Sequence, residues 1–365
     1  MRTPRRVLLT TDCVGGVWTF TVELCRELNQ LGVECVVASM GRMPDAREQL
    51  ELTNLPGTRL FASDFALEWM DEPWKDVDCA SEWLLELAHD ERVDLVHLNG
   101  FAHSALPWNR PVLVVGHSCV CSWYRAVIPD FASQVDGEYK RRVAAGLAAA
   151  DLVVAPSRSM LAELRRFYSW KGFDQVIQNG IRKPGCVHQP KESMVVTAGR
   201  VWDRAKGIDR LVNQRETVAW PIHVLGDGPE MQSPGQLQWH GRKSRDDVFN
   251  WLQRARIYAA PARYEPFGLA VLEAAYCGCC LLLSDLPTFR ENWDGAAEFV
   301  PNAATADWSR AINTLIDSTD RWDELGEAAR RRAQLFSSRR MAERYLLAYH
   351  WLTSREVVSS PVEAS

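Results

Sequence analysis

Two carboxylates stand eight residues apart in the part of the sequence best suited to chemistry. Glu265 comes after an apolar run from Tyr258 to Pro261 and directly before Pro266, and Glu273 follows it by eight residues. Proline suits the first turn of a helix, so a helix is predicted to start near Pro266 and to carry Glu273 about two turns further on. Both carboxylates can then face one cleft and accept hydrogen bonds from the vicinal hydroxyls of a sugar or a ribose. The spacing alone also allows a plain helix-start charge and a solvated Glu273.

Backbone donors accompany these carboxylates. The N–H groups of Phe267, Gly268 and Leu269 would point out of the predicted helix start, where an anionic or hydroxyl-rich ligand is favoured. In the N-terminal half, Gly15 and Gly16 follow the first apolar run and open a helical pattern. On its own, this Gly-Gly pair also fits a simple tight turn.

Two cations and a histidine follow other apolar runs. Arg200 and Lys206 come after the run from Val195 to Ala198. Two fixed cations beside a glycine-rich strand end are what a departing diphosphate needs, whereas the plainer interpretation is a pair of surface cations. His117 ends another such run, from Val112 to Val115. It is either a ligand contact or a satisfied imidazole at a strand end.

These residues must be positioned by a repeated strand and helix pattern. Short apolar or β-branched runs, buried on both faces, are typical of parallel strands, and helical patterns such as Phe20 to Leu31 separate them. The alternation, seen in both halves, predicts two doubly wound α/β domains. The predicted strands are Val7–Leu9, Cys35–Ala38, Leu95–Leu98, Val112–Val115, Leu152–Val154, Val195–Ala198, Ile222–Leu225, Tyr258–Ala260, Cys280–Leu283 and Phe299–Val300.

Turn residues between positions 170 and 192 indicate the domain boundary. We therefore expect an N-terminal domain at 1–180, a C-terminal domain at 181–336 and a last helix at 337–355. One face of that helix carries apolar and aromatic residues, namely Met341, Tyr345, Tyr349 and Leu352.

The bulk properties restrict the class of protein. A chain of 365 residues exceeds the usual size of one core, and a net charge of -5 argues against nucleic acid as the main partner. No apolar run approaches the roughly 18 residues that span a bilayer, and the run after the basic start is too short for a signal peptide. A cytoplasmic location is expected, with the ten cysteines reduced. Their spacing does not favour zinc.

The motifs taken in order resemble those of one large enzyme family. The segment from Arg263 to Ala275 resembles the E-x7-E signature of the retaining GT4 glycosyltransferases, and the likeness extends over most of the chain. Singly each further motif is weak, but their order and spacing are specific. They are Asn179-Gly180-Ile181, Thr197-Ala198-Gly199-Arg200 with Lys206-Gly207, Gly226-Asp227-Gly228-Pro229, Gly241-Arg242, and Asp285-Leu286-Pro287 with Glu291.

The resemblance implies a GT-B fold, with two Rossmann-like domains, a deep interdomain cleft and a C-terminal helix crossing back. It implies that Arg200 and Lys206 grip the diphosphate and that Glu273 binds the ribose. Glu265 would bind the transferred sugar near its 3-hydroxyl, and His117 would contact the same sugar. The sugar and phosphate would be supported by the N–H groups of Phe267, Gly268 and Leu269. The Gly15-Gly16 loop would approach the phosphates and the acceptor. The Gly241-Arg242 turn would meet the nucleobase.

The implied reaction is transfer of a hexosyl group with retention of configuration, from a nucleotide sugar to a saccharide or other hydroxyl acceptor. We favour a UDP-hexose such as UDP-glucose over GDP-mannose. The donor is a substrate, and neither a cofactor nor a metal is expected. A lipid-linked acceptor and peripheral membrane contact are compatible with the sequence. The alternatives are a GDP-mannose-dependent mannosyltransferase, a non-catalytic nucleotide-sugar-binding protein and a nucleotide-sugar 2-epimerase.

Three features depart from the usual family pattern. Arg200 and Lys206 are six residues apart, one more than the commonest spacing, which predicts a reshaped phosphate pocket. Arg182 stands where many members carry an acidic residue. The stretch from Ser122 to Arg125 contains Trp123, whose ring is expected either to stack on a sugar acceptor or to pack against other aromatic side chains.

Overall fold

The chain folds into two compact units, each built on a parallel β-sheet. The computed structural model describes residues 3–130, 135–185, 189–212, 217–228, 237–303 and 307–359. The first unit comprises the chain up to Ser122, the stretch that ends at Gly180 and the chain from Ser338 onward. The second unit comprises Trp123–Asp130 and Ile181–Ser337.

The first unit contains a seven-stranded sheet in the order β3-β2-β1-β4-β5-β6-β7, and its neighbouring strands are parallel. Its central strands are continuous buried runs, as a sheet covered on both faces requires. The strands are β1 Arg6–Asp12, β2 Glu34–Met40, β3 Thr58–Ala62, β4 Leu95–Leu98, β5 Val112–Val115, β6 Leu152–Ala155 and β7 Phe173–Val176. The helices in this part of the chain are α1 Gly16–Gln30, α2 Ala46–Thr53, α3 Trp74–Asp90, α4 Val120–Val127, α5 Gly137–Ala149 and α6 Arg158–Phe167.

The second unit contains a six-stranded parallel sheet in the order β10-β9-β8-β11-β12-β13. Its strands are β8 Glu192–Ala198, β9 Ile222–Leu225, β10 Leu237–Trp239, β11 Ala255–Ala260, β12 Cys280–Ser284 and β13 Glu298–Val300. Its helices are α7 Asp209–Val212, α8 Arg245–Arg254, α9 Leu269–Tyr276, α10 Pro287–Trp293, α11 Trp308–Ile316 and α12 Thr319–Ala333.

A final helix, α13 Ser338–Ser359, packs on the first unit, mainly against α1. Tyr345 and Tyr349 of this helix are fully buried. The Tyr349 hydroxyl lies 2.6 Å from Nδ1 of the buried His97 in β4. The apolar face read from the sequence is therefore the face that completes the core of the first unit.

The prediction of two doubly wound α/β domains is confirmed, and one detail of it is wrong. The helix after Glu265 begins at Leu269, so Pro266 precedes the helix and does not lie in its first turn. The helix that contains the Phe20 pattern begins at Gly16, where the Gly15-Gly16 pair was predicted to open it. Pro229 of the glycine motif lies outside the described residues.

Candidate active site

In the second unit, the motif residues gather where the order of the strands changes direction. From β8 the chain builds β9 and β10 on one side and then returns to place β11 on the other. Loops at the carboxyl ends of such neighbouring strands form the usual ligand crevice of doubly wound sheets. Arg200 and Lys206 follow β8, Gly226 follows β9 and Glu265 follows β11. The topology thus brings together residues that are far apart in sequence.

Glycines allow the loops after β8 and β9 to touch. A Cβ atom on Gly226 would lie 1.7 Å from the carbonyl oxygen of Gly199, so no larger residue fits there without moving the backbone. The Gly226 N–H donates to the carbonyl of Gly241 at 3.0 Å, and Gly241 has a φ of +64°. The glycine motifs therefore form one connected surface, with the exposed Arg242 beside it.

A second glycine contact fixes the loop that carries Lys206. Gly207 has a φ of +64°, and a Cβ there would lie 2.0 Å from the carbonyl oxygen of Pro261. The N–H of Arg263 donates to the carbonyl of Ala205 at 2.7 Å. These contacts hold the loop after β8 against the loop after β11.

The result is an ion pair between two predicted site residues. Lys206 Nζ lies 2.7 Å from Glu265 Oε2, and the side chains are 26% and 16% exposed. Both groups remain partly accessible, so the pair can meet a ligand without unfolding of the loops. The plain alternative of a surface cation at Lys206 does not describe this arrangement.

Arg200 has an acidic partner that the sequence motifs did not indicate. Its guanidinium lies 2.6 Å from Oδ2 of Asp203 and 5.1 Å from the ring centre of Trp202. Trp202 is 51% exposed, whereas Asp203 is buried. Burial works against the Asp203 charge, but Arg200 and the N–H of Ala205 hold the pKa of this carboxyl below its usual range. The only sequence signal was the suitability of Asp for capping the short 3-10 turn that follows.

The N-terminus of α9 presents the predicted backbone donors, in a modified form. Gly268 precedes the helix with a φ of +94°, Phe267 is buried, and Leu269 is the first helical residue. The first N–H groups of any helix have no partner within it. The backbone of this turn can therefore still serve as a donor, although Pro266 lies outside the helix.

Glu273 lies on α9 and is mostly buried, at 13% side-chain exposure, so it is not a solvated charge. Its Oε1 is 3.3 Å from Nε of Arg245 on α8, a partner that the sequence reasoning missed. Burial, followed by the charges of Glu265 and Glu273, raises the pKa of Tyr258 in β11. Both carboxylates are therefore close to the same phenol, as expected for side chains that face one side.

In the first unit, Gly15, Gly16 and His117 follow the carboxyl ends of β1 and β5. Gly15 caps α1 without a side-chain bond, and Gly16 begins the helix and is exposed. His117 Nε2 lies 2.9 Å from Oδ1 of Asn99, whose amide nitrogen donates to the carbonyl of Thr10 at 2.6 Å. The Asn99 oxygen must then accept from His117. Nε2 therefore carries the proton, and Nδ1 is an acceptor.

Burial lowers the pKa of His117 to about 3. The imidazole is neutral at physiological pH, and Phe20 packs against it with ring centres 4.5 Å apart. A neutral histidine suits a hydroxyl ligand better than a phosphate.

Within the described ranges, no group of three His, Cys, Asp or Glu side chains is arranged to hold a metal ion. The described cysteines are free thiols. None of the described helices combines the length and the apolar character that crossing a bilayer requires.

Comparison with family models covers both units. Residues 14–182 match the model for Glycosyltransferase Family 4, and residues 192–318 match the model for Glycosyl transferases group 1. The two parallel α/β units form a GT-B fold, and one family match falls on each of the two sheets. The chain belongs to the GT4 family, which confirms the family predicted from its motifs.

A curated relative and two solved structures give the scale of the likeness. D-inositol 3-phosphate glycosyltransferase from Arthrobacter sp. (strain FB24) is 29% identical over 113 residues, 30% of this chain and 27% of the relative. The chain thus matches only about a quarter of that relative's length. Sucrose-phosphate synthase from Thermosynechococcus elongatus has a TM-score of 0.79 at 18% identity, covering 96% of this chain and 100% of the other. Anabaena HepE, solved with UDP and glucose, has a TM-score of 0.71 at 16% identity, covering 95% and 100%. These two structures show the GT-B fold.

Proposed function

We propose that this protein is a retaining glycosyltransferase that moves a hexosyl group from a nucleotide sugar to a hydroxyl of a saccharide or other acceptor. The observation that carries the proposal is the Lys206–Glu265 ion pair, at 2.7 Å. It places a cation suited to phosphate next to a carboxylate suited to sugar hydroxyls, at the carboxyl ends of neighbouring strands. A nucleotide-sugar donor contains a phosphate and sugar hydroxyls side by side.

The proposed reaction breaks the bond between the anomeric carbon of the hexose and the diphosphate oxygen. The acceptor hydroxyl attacks that carbon from the same face, and the departing phosphate oxygen takes its proton. The largest change in charge during the reaction is the negative charge that develops on the diphosphate. Arg200 and Lys206 supply fixed positive charge for it, which is worth most where water is partly excluded.

Hydrogen-bond acceptors are proposed to hold the hydroxyls of the sugar. Glu265 accepts hydrogen bonds from hydroxyls, and Nδ1 of the neutral His117 can accept one more. The glycine loop at Gly15 and Gly16 is proposed to approach the phosphates and the acceptor. Glu273 is proposed to bind the ribose, and the turn at Gly241 and Arg242 is proposed to meet the base.

A UDP-hexose such as UDP-glucose is the proposed donor. Support comes from the shared fold with HepE, whose structure holds UDP and glucose. The proposed mechanism uses no metal, since Arg200 and Lys206 supply the charge. The cytoplasmic location expected from the sequence stays a prediction.

The test is a donor screen with the purified protein. UDP-glucose, UDP-galactose, UDP-GlcNAc, GDP-mannose and ADP-glucose are each supplied with mixed saccharide acceptors, and release of nucleoside diphosphate is measured. Turnover with a UDP-hexose and retention at the anomeric carbon of the product support the proposal. Turnover with GDP-mannose alone would replace the proposed donor. Binding without turnover for every acceptor and for water would favour a non-catalytic binding protein.

A further inference from the structure

We propose that Trp123 is a positioning residue for the phosphate site, because it holds Asp203 in place and thereby fixes the guanidinium of Arg200. This inference rests on the proposed function, in which Arg200 binds the donor diphosphate. It goes beyond that function by assigning a role to a residue outside the family motifs.

The indole of Trp123 hydrogen-bonds to the partner of Arg200. Trp123 lies on α4, and from Trp123 to Asp130 the chain belongs to the second unit. Its Nε1–H donates to Oδ1 of Asp203 at 3.2 Å, across 80 residues of sequence. The ring also packs edge-on against Tyr124, with centres 5.2 Å apart. The indole N–H is therefore committed to a specific polar contact.

Asp203 is a buried carboxylate with donors on both oxygens. Oδ1 accepts from the N–H of Ala205 at 3.0 Å as well as from Trp123, and Oδ2 accepts from Arg200 at 2.6 Å. The residue is only 6% exposed. To orient a guanidinium, a carboxylate so deeply buried must be ionised and hydrogen-bonded at both oxygens. Loss of one hydrogen-bond donor therefore weakens its hold on the guanidinium. Its own carbonyl accepts from the N–H of Lys206 at 2.9 Å. Asp203 therefore contacts both residues that are proposed to bind the phosphate, Arg200 and Lys206.

The long loop between Arg200 and Lys206 explains why such a support is needed. An arginine side chain loses considerable rotamer freedom when it is held in one position, and that loss weakens ligand binding unless it occurs beforehand. The Trp123–Asp203–Arg200 chain of contacts restricts the guanidinium before any ligand arrives. The sequence offered stacking on an acceptor sugar as one role for Trp123, and the hydrogen bond to Asp203 favours positioning instead.

The test compares Trp123→Phe with wild type in calorimetric titrations of UDP and of uridine. The substitution keeps an aromatic ring and removes the N–H. We expect UDP to bind about three- to tenfold more weakly, as for loss of one supporting hydrogen bond, while uridine binding is unchanged because it has no phosphate. Tyr124→Phe, on the same helix, is the matched control and should leave both affinities at the wild-type level. GDP and guanosine are titrated in parallel.

Asp203→Asn provides the second test and covers the case in which Trp123→Phe does not fold. This variant should weaken UDP at least as much as Trp123→Phe and again spare uridine. In the double variant the losses should not multiply, since both changes act through the same carboxylate. Three outcomes would overturn the positioning role alone. They are wild-type UDP affinity in either variant, equal losses of affinity for UDP and uridine, and losses that multiply in the double variant. If the wild type binds neither UDP nor GDP, the proposed function itself fails, and the positioning role with it.

Discussion

The ammonium group of Lys206 lies 2.7 Å from Oε2 of Glu265, although 59 residues separate them in the chain. Each charge thus has a partner of opposite sign. A diphosphate would be a second anion for Lys206, and sugar hydroxyls would be new donors for Glu265. Binding of a donor would therefore exchange one ion pair for two better-matched sets of contacts.

Removal of either proposed phosphate cation should slow the reaction strongly. Lys206→Ala and Arg200→Ala are each expected to lower turnover about a hundredfold or more, which corresponds to roughly 3 kcal/mol of lost transition-state stabilisation. Steady-state rates with the donor found in the screen provide the measurement. Arg331→Ala, which removes an exposed arginine paired with Glu327 on α12, is the control and should retain full activity. Wild-type rates in both folded site variants would remove the phosphate assignment.

The activity should survive chelation. Because the proposed mechanism places the positive charge on Arg200 and Lys206, incubation with EDTA followed by dialysis is expected to leave turnover within twofold of the untreated enzyme. Loss of activity that Mn²⁺ or Mg²⁺ restores would show that a metal carries out the role given to these side chains.

The two carboxylates should respond differently to neutralisation. Glu265→Gln is expected to impair transfer strongly, yet to leave free UDP binding within a few fold, because its partner Lys206 remains available to the diphosphate. Glu273→Gln should weaken UDP itself, by about 1–3 kcal/mol if a charged, mostly buried hydrogen bond to the ribose is lost. One UDP titration of each variant separates the two roles. Identical behaviour of the variants would contradict the division between sugar and ribose.

Gly207 should tolerate no side chain. Gly207→Ala forces alanine to a φ of +64° and brings its Cβ to 2.0 Å from the Pro261 carbonyl. We expect it to lower the free energy of unfolding by about 2–4 kcal/mol and to reduce turnover, because Lys206 is displaced. Urea denaturation measures the first effect. Gly185→Ala is the control, since a Cβ at that exposed position would meet no atom of the described residues within 4 Å, its chain neighbours aside. Equal stability of the two variants would refute the packing argument.

Acid should destabilise the fold through its buried histidines. Burial lowers the pKa of His97 to about 3 and that of His103 to about 4, from 6.5. Below pH 6.5 these histidines are protonated in the unfolded chain but stay neutral in the folded chain. Each of them therefore lowers the free energy of unfolding by about 1.4 kcal/mol for each unit by which the pH falls. Glu68 opposes this trend, because burial raises its pKa to about 7 and the folded state gains a proton first.

A difference measurement isolates one histidine. His103→Gln should reduce the loss of unfolding free energy between pH 6 and pH 5 by about 1.2 kcal/mol relative to wild type. Urea denaturation at the two pH values gives the result. An unchanged pH dependence would mean that His103 titrates alike in the folded and unfolded states.

The interior of both sheets was predictable from sequence, whereas three of their four edge strands were not. The predicted strands at Leu95–Leu98, Val112–Val115 and Ile222–Leu225 coincide with β4, β5 and β9, because strands covered on both faces must be continuously apolar. The strands that were missed, β3, β7 and β10, all lie at sheet edges. An edge strand is partly solvated and carries fewer apolar residues, as Phe173–Val176 with its exposed Asp174 illustrates.

The site divides along a similar line. The residues of the family motifs could be named from the sequence, because glycines, prolines and spaced charges constrain the local backbone. Asp203 pairs with Arg200 only three residues away, but its contact with Trp123 and the contact of Arg245 with Glu273 arise only through tertiary packing. Local pattern contains no information on a partner 80 residues away, so the groups that orient the site charges remained hidden.

The position of α13 has a consequence for synthesis on the ribosome. Residues 181–337, nearly all of the second unit, are translated between the body of the first unit and the helix that completes its core. At about 5–20 residues per second, the interval before α13 emerges is on the order of ten to thirty seconds. During that time the surface around Phe20 and His97, which Tyr345 later covers, stays exposed. The core of the nascent first unit therefore remains incomplete until α13 has been translated.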